Sequence, residues 1–232
     1  MYKEIALVFG VVSCVFWLVA YVFIIVRGFK DKTFAMPITG LCANISWEFI
    51  YGFIYERYDY ANTFSIGWFL LDIPIAWQCY TYGAKDFKNE FIRKNFRLIF
   101  FFTLVTAFTI VLTCFYEFKD FYGSYTGHSI NLMFSILYVA MLLRRDSIDG
   151  QSMYIVVSRS LGTLTTLLST CFDVMGDLNT PLNIYSILTI QQYPFSPLIR
   201  VLSFFTFIVD LVYIILLYQK IKEAKINPWQ RV

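Results

Sequence analysis

Seven apolar runs, each long enough to cross a lipid bilayer, constrain the fold of this chain more than any other feature. A spanning α-helix needs about 20 mostly apolar residues. The runs that meet this requirement are 5–26, 36–55, 64–83, 98–116, 128–143, 152–172 and 201–219. The fifth is the shortest and is expected to extend into its flanks. Only 15% of the residues are charged, whereas soluble domains carry about 25%. We therefore predict an all-α membrane protein in which residues 1–232 form a single domain, a bundle of seven transmembrane helices.

The lysines and arginines predict the orientation of this bundle. Fourteen of the 19 basic residues fall in the loops on one side: Arg27, Lys30, Lys32, Lys85, Lys88, Arg93, Lys94, Arg97, Arg144, Arg145, Lys220, Lys222, Lys225 and Arg231. The other side holds Lys3, Arg57, Lys119 and Arg200. Because cytoplasmic loops carry the excess of Lys and Arg, the N-terminus is predicted to be non-cytoplasmic and the C-terminus cytoplasmic. The longest connection, 173–200, then lies on the non-cytoplasmic side, where we expect it to cover the mouth of the bundle.

Four ionisable residues on four different helices are predicted to lie at nearly the same depth. With a rise of about 1.5 Å per residue, Glu48 lies about 4 Å to the non-cytoplasmic side of its helix centre. Asp210 lies at the centre of its helix and Asp72 within a few ångström of it. Arg159 lies about 4 to 5 Å to the cytoplasmic side. A charge facing lipid at this depth costs about 2.5–3.5 kcal/mol, so we expect these groups to face one another or a cavity.

Three acids and one arginine leave at least one carboxyl group without a countercharge. A structural ion pair accounts for Arg159 with one or two of the acids. The remaining carboxyl is expected to hold its proton in a dry site. Two carboxyl groups that lie close together share one proton, and such a pair is a Brønsted acid aimed into an apolar chamber. Either member of the pair can carry the proton.

Side chains one helical turn from these acids are candidate substrate-binding or network residues. Residues three or four positions apart share a helix face, which gives Asn44 and Tyr51 beside Glu48, Trp68 beside Asp72, and Tyr213 beside Asp210. Asn44 is expected to orient the nearby carboxyl group. Tyr51 is expected to line the chamber or donate a hydrogen bond. For each aromatic residue taken alone, ordinary packing or interfacial anchoring is the more frequent role.

Several chemistries are excluded by what the sequence lacks. The seventh segment has no lysine for a retinal Schiff base, and one histidine, His128, does not make a zinc site. His128 is more often an interfacial or capping residue than a catalyst. No DDxxD motif is present to hold magnesium, since Asp173 and Asp177 form only a DxxxD. The five cysteines have no metal-binding spacing. We therefore predict no metal and no cofactor, and the net charge of +3 predicts no nucleic-acid partner.

After these exclusions, the remaining candidate reaction is proton transfer to a substrate that lies beside aromatic rings. Phe, Tyr and Trp make up 20% of the chain, and each ring face stabilises a passing cation by about 0.5 to 2 kcal/mol. A dry chamber with such walls and a buried carboxylic acid suits the cyclisation of a polyprene that is started by protonation. An apolar prenylated substrate dissolved among the membrane lipids would explain why the protein lies in the membrane.

Two short motifs carry a resemblance to a known family. They are "WE" in the second segment (Trp47 and Glu48) and "DLVY" in the seventh (Asp210 to Tyr213). In a seven-helix chain of this length they resemble the small integral-membrane terpene cyclases of fungal meroterpenoid and indole-diterpene pathways, such as the pyripyropene-type and paxilline-type cyclases, and their bacterial relatives. The resemblance implies that Glu48 and Asp210 protonate a terminal epoxide or olefin of a prenylated substrate.

The expected protein is thus a metal-independent terpene cyclase of secondary metabolism, an isomerase or lyase that works through carbocations. Asp72 and Arg159 are assigned to the network around the acid from their depth alone. The protein is expected to be an integral multi-pass protein of a bacterial inner membrane or of the endoplasmic reticulum, depending on its source. It is also expected to be able to associate with other enzymes of its pathway.

Two other functions fit a bundle with charges at its centre. In a small seven-helix proton-coupled transporter the same groups form a proton relay, although the internal repeat of many carriers is not visible here. In a receptor-like or scaffolding bundle they form a structural polar cluster. Uptake into proteoliposomes driven by a proton gradient would favour the transporter over the cyclase.

Overall fold

The computed structural model describes residues 1–55 and 60–231, and all regular structure within these ranges is helical. The α-helices are α1 (Tyr2–Lys30), α2 (Ile38–Phe49), α3 (Tyr60–Tyr82), α4 (Glu90–Lys94), α5 (Phe96–Phe118), α6 (Ser124–Arg145), α7 (Met153–Leu178), α8 (Ile184–Thr189) and α9 (Pro197–Glu223). A π-helical turn, Ile50–Ile54, continues α2, and a 3₁₀ turn, Gly83–Asp86, follows α3. Arg57, which enters the count of basic residues above, lies outside the described residues.

Each of the seven predicted segments is helical, so the all-α class is confirmed. The fifth segment extends in both directions, because α6 begins at Ser124 and ends at Arg145. Five helices, namely α1, α5, α6, α7 and α9, are long and apolar enough to cross a membrane. The others are less apolar or shorter: α3 has 23 residues, and α2 has 12 before its π-helical turn. The protein is therefore an integral membrane protein that crosses the bilayer more than once.

Helices α1 and α7 pack along each other through small and hydroxyl-bearing residues. Ser13 donates a hydrogen bond to the carbonyl oxygen of Gly162 at 2.8 Å, and Ser169 donates to that of Ala6 at 2.7 Å. A Cβ atom at Gly162 would lie 2.7 Å from the ring of Trp17, so only glycine permits this approach. These contacts bring the polar face of α7 against α1 rather than against lipid.

Helices α2 and α3 meet where the regular α-helical ladder is interrupted. The π-helical turn after α2 leaves backbone carbonyls without a regular partner, and the amide of Asn62 donates to those of Tyr51 and Gly52 at 3.0 and 3.1 Å. Pro74 lies within α3, where it has no N–H to donate to the preceding turn. The two helices that carry Glu48 and Asp72 are thus neighbours in the bundle.

The start of α6 is fixed by the buried carboxylate of Asp120. It accepts hydrogen bonds from the backbone N–H groups of Tyr125 and Thr126 at 2.9 and 2.8 Å, where the helix dipole favours a negative charge. The hydroxyl of Tyr193 donates to the same carboxylate at 2.7 Å. Because Tyr193 belongs to the connection between α7 and α9, this bond ties that connection to the end of the bundle at which α6 begins. We call this end of the bundle the mouth end.

The predicted covering segment, 173–200, is more helical than expected. Helix α7 continues to Leu178, and α9 begins at Pro197, so the connection comprises only residues 179–196 and includes α8. Phe195 and Ile190 from the connection pack against Met175 of α7 in a small apolar cluster. The connection therefore packs onto the mouth end and does not extend from it.

At the opposite end, Asp31 holds together three parts of the chain. Its carboxylate binds Arg27 at 2.5 Å and Arg231 at 2.7 Å, and it accepts from the backbone N–H of Gly150 at 2.8 Å. Arg231 also donates to the carbonyl oxygen of Gln151 at 2.9 Å. The segment after α9 therefore folds back over this end of the bundle.

Candidate active site

A chamber of about 610 Å³ lies among α1, α2, α3, α6 and α7. Small-molecule sites span about 300–1,000 Å³, so the chamber has the size of a small-molecule site. At the mouth end it is bounded by Lys3, Asp173 and Asp177, which form ion pairs of 2.8 and 2.6 Å around the lysine. Its walls carry aromatic side chains, among them Trp17 and Tyr60. The chamber thus combines a polar entrance with an aromatic interior.

Glu48 lines the chamber although it is only 1% exposed. The hydroxyl of Tyr21 donates a hydrogen bond to its Oε1 atom, and Nδ2 of Asn44 lies 2.7 Å from the same oxygen. Its Oε2 atom is buried and, among the described residues, has no hydrogen-bond partner. One carboxyl oxygen of Glu48 is therefore held in place by two neighbours, and the other accepts no hydrogen bond from an N–H or O–H group of the described residues.

The carboxyl group of Asp72 lies directly behind that of Glu48. Nδ2 of Asn44 bridges the two groups, at 2.7 Å from Oε1 of Glu48 and 2.9 Å from Oδ2 of Asp72. Asp72 is fully buried, and no ion pair joins either acid to a base within the described ranges. Two carboxyl groups this close are more stable with a proton between them than with two negative charges. The geometry is that of an acid pair with one member facing the chamber.

Asp210 and Arg159 form a separate buried pair between α9 and α7. Nη2 of Arg159 donates to Oδ1 of Asp210, and the hydroxyl of Ser160 donates to Oδ2 at 2.7 Å. The guanidinium group also lies 3.3 Å from Oγ of Ser135 and 4.8 Å from the ring centroid of Tyr138. Neither member of this pair lines the chamber. Both carboxylate oxygens of Asp210 are thus engaged by partners from α7.

The arrangement differs from the sequence-based pairing of Glu48 with Asp210. The structure places Asp72 beside Glu48 and Arg159 beside Asp210. The reason is the order of the helices around the bundle: α2 packs against α3, whereas α9 packs against α6 and α7. The four charged residues are all buried, as their depth predicts, but they form two pairs rather than one cluster.

Three of the four predicted aromatic companions line the chamber. Trp47 lines the chamber and donates from Nε1 to the hydroxyl of Thr126 at 3.0 Å. Tyr51 also lines it, and its hydroxyl donates to the backbone carbonyl of Asp120 at 2.6 Å. Trp68 lines it with its Nε1 buried and, within the described residues, unpartnered.

Tyr213 lies away from the chamber. It donates to Oε1 of Gln151 at 2.6 Å and stacks on Tyr138 with 5.5 Å between ring centroids. Since the same Tyr138 ring lies under the guanidinium of Arg159, Tyr213 supports the Arg159 pair rather than the chamber.

Two residues of the site were not found from the sequence. Tyr21 binds the Glu48 carboxyl from α1, and the hydroxyl group within an otherwise apolar run is the signal that could have revealed it. Ser160 binds Asp210, but a serine next to Arg159 in a helix with many hydroxyl groups carries no distinct signal. In the described ranges, no group of three or more His, Cys, Asp or Glu residues is placed to hold a metal ion.

Comparison with known proteins identifies the family of this chain. Residues 1–223 match the family model of the Pyr4-like transmembrane terpene cyclases. The chain belongs to this family. No solved structure matches the chain, so its relatives by sequence are the informative ones.

Three curated relatives show the range of this similarity. Pyr4-family terpene cyclase mfmH of Annulohypoxylon moriforme is 27% identical over 67% of this chain and 66% of its own length. Asnovolin H synthase nvfL of Aspergillus novofumigatus is 26% identical over 66% and 65%. Terpene cyclase penB of Penicillium crustosum is 28% identical over 74% of each. The match thus spans just under two thirds of the first two relatives.

Proposed function

We propose that this protein is a membrane-bound terpene cyclase that protonates an epoxide or olefin of a prenylated substrate and guides the resulting cation through ring closure. One observation carries the proposal: Glu48 is a buried acid that lines an aromatic-walled chamber, with the buried carboxyl group of Asp72 bridged to it by Asn44. Membership of a family of terpene cyclases supports the same chemistry. Nothing in the chamber requires a metal for this step, because a carboxylic acid supplies the proton.

In this proposal Glu48 delivers the proton and Asp72 shares it. Asn44 holds the two carboxyl groups together, and Tyr21 fixes the Oε1 atom of Glu48. The rings of Trp47 and Trp68 then lie along the path of the developing cation. Rings of this kind stabilise a cation without acting as a base that would quench it.

Asp210 has a different part in this proposal. The family resemblance implies that it takes part in protonation, whereas its contacts with Arg159 and Ser160 favour an indirect role. The pair fastens α9 to α7, and the contact of Arg159 with Ser135 adds α6. Because α6 and α7 both line the chamber, Asp210 would position its walls.

We further propose that the bundle crosses the membrane seven times, with the N-terminus non-cytoplasmic and the C-terminus cytoplasmic. The 23 residues of α3 extend about 35 Å at 1.5 Å per residue, enough to span a hydrocarbon core of about 30 Å. The distribution of Lys and Arg supports the orientation. The mouth end would then be the non-cytoplasmic end.

The substrate would be apolar and would enter from the lipid. Since the curated relatives named above come from fungi, an endoplasmic-reticulum type of membrane is the expected location. A prenylated, meroterpenoid-like compound fits the chamber's aromatic interior and polar entrance. Association with other enzymes of the pathway stays an expectation.

The test is to incubate membranes containing the protein with plain and terminally epoxidised farnesylated and geranylgeranylated phenols and indoles. The proposal predicts a product of unchanged mass and altered chromatographic retention, formed in the presence of a metal chelator. Membranes without the protein are the control. If no compound of the panel is isomerised while proteoliposomes take up a solute in response to a proton gradient, the cyclase proposal fails and the transporter replaces it.

A further inference from the structure

His128 is the one histidine of the chain, and it lies on the chamber wall formed by α6. It is 2% exposed and lines the same chamber as Glu48. Its Nδ1 atom lies 3.1 Å from Oγ of Ser203 on α9. Its Nε2 atom is buried and, within the described residues, has no hydrogen-bond partner. A buried polar atom without a partner in a substrate chamber calls for an explanation.

The hydrogen bonds of Ser203 determine which nitrogen of the ring carries the proton. A serine hydroxyl has a single hydrogen to donate, and Ser203 donates it to the carbonyl oxygen of Ile199 at 2.8 Å. While that bond holds, Ser203 accepts from His128, and Nδ1 is the protonated nitrogen. In a neutral ring this leaves a lone pair on Nε2. A charged ring would instead bury an N–H group without an acceptor.

The position of Ser203 also determines which side of the ring meets the chamber. Ser203 is buried and does not line the chamber, whereas His128 does. The imidazole therefore stands between α9 and the chamber, with Nδ1 turned toward α9. No described residue binds the lone pair on Nε2, although His128 itself lines the chamber.

We propose that His128 is the catalytic base that ends the cyclisation by taking a proton from the carbon next to the final cation. This inference rests on the proposed function. The C–H bond breaks, its electron pair forms the carbon–carbon double bond, and the proton forms a bond to Nε2. One proton has entered the substrate from Glu48 and one has left to His128, so the product is an isomer of the substrate. After product release, the imidazolium loses its proton to water at the mouth end and Glu48 regains one.

The rest of the chamber offers few competing bases. Asp173 and Asp177 lie at the mouth, and both are paired with Lys3. Glu48 becomes a carboxylate only after it has given up its proton, and no hydrogen bond between described residues joins it to His128. The hydrogen bond between Trp47 and Thr126 holds α2 against α6, one residue before the acid and two residues before the base. Acid and base are thus on neighbouring walls without direct contact.

The test compares the products of His128→Phe and His128→Gln with those of the wild type, using the compounds of the panel that the wild type cyclises. A general base typically raises the rate of its step by about 10² to 10⁴. In both variants we therefore expect the yield of the main alkene to fall by at least about tenfold relative to hydrated products or other alkenes. Substrate consumption should continue, because protonation by Glu48 is unaffected. Ser129→Ala, an exposed position on α6, is the control and should leave the products unchanged. An unaltered rate and alkene distribution in both His128 variants would overturn the proposal.

A second measurement does not depend on a folded variant. With a single histidine, the ¹⁵N spectrum of histidine-labelled protein contains one imidazole, and it should show a protonated Nδ1 and an unprotonated Nε2. Ser203→Ala should remove this preference and shift the products in the same direction as His128→Gln. A protonated Nε2 in the wild type would contradict the inference. A wild type that cyclises no compound would contradict the proposed function instead, so the two failures are distinguishable.

Discussion

Removing Asp210 should cost more stability than removing any single hydrogen bond around it. The side chains of Arg159 and Asp210 are only 2% and 3% exposed, so Asp210→Asn leaves a buried guanidinium group without its countercharge. Breaking such a pair costs about 3–5 kcal/mol. Ser160→Ala removes one hydrogen bond to a charged group and should cost about 1.5–3 kcal/mol.

The double variant Arg159→Met with Asp210→Leu removes both charges together. Replacing a buried ion pair by apolar residues of similar volume is about neutral, so its stability should return close to that of the wild type. The assay is unfolding in detergent micelles together with cyclisation of the same samples. Lys220→Ala, which removes an exposed ion pair from the same helix, is the control and should change neither.

The two readouts separate a positioning role from direct chemistry. If Asp210 positions the walls, the stable double variant regains most of its cyclase activity. A double variant that is as stable as the wild type but forms no product would refute this reasoning, since Asp210 would then act on the substrate, as the "DLVY" motif implies.

Three further predictions concern the acid pair, the size of the chamber and the connection between α7 and α9. Asp72→Asn should leave the protein folded and lower kcat by about 10² or more, the scale of a general acid's contribution, with little change in substrate binding. A Cβ atom at Gly127 would be at least 3.6 Å from its neighbours, so the Gly127→Leu variant should fold. Its side chain should fill part of the chamber and slow the cyclisation of geranylgeranyl compounds more than that of farnesyl compounds. Gly67→Leu, at a position with open space around it, is the control and should not change this ratio of rates. Tyr193→Phe should lower the free energy of unfolding by about 1–3 kcal/mol, because its hydroxyl donates to Asp120. Burial and the nearby Asp120 carboxylate raise the pKa of Tyr193, so this difference between wild type and variant should be present at neutral pH and shrink above the ordinary tyrosine pKa of about 10.

Sequence predicted that the four charged residues face the interior, but not which of them pair. Depth follows from the rise per residue along each helix, and Glu48, Asp72, Arg159 and Asp210 are indeed all buried. Which of them meet depends on the order of the helices around the bundle, and the apolar runs carry no information about that order. The acid beside Glu48 is therefore Asp72, from the helix that packs against α2, and not Asp210.

Helix faces were predictable for the same geometric reason. Asn44 lies one turn before Glu48 on α2, and its amide reaches the carboxyl group at 2.7 Å. Tyr21, by contrast, reaches Glu48 from α1. A contact between helices that are distant in sequence needs the packing of both, so spacing within one segment could not reveal it. The same holds for Ser203 and His128.

The most direct measurement compares the wild type with Glu48→Gln in a single-turnover reaction on a substrate of the panel. The variant keeps the shape of the side chain and the contact with Asn44 but has no acidic proton to give. We expect the variant to unfold at the same temperature as the wild type, bind the substrate, and form no cyclised product. A folded Glu48→Gln protein that cyclises the substrate at the wild-type rate would show that Glu48 is not the proton donor, because the ring closure would then start without this acid.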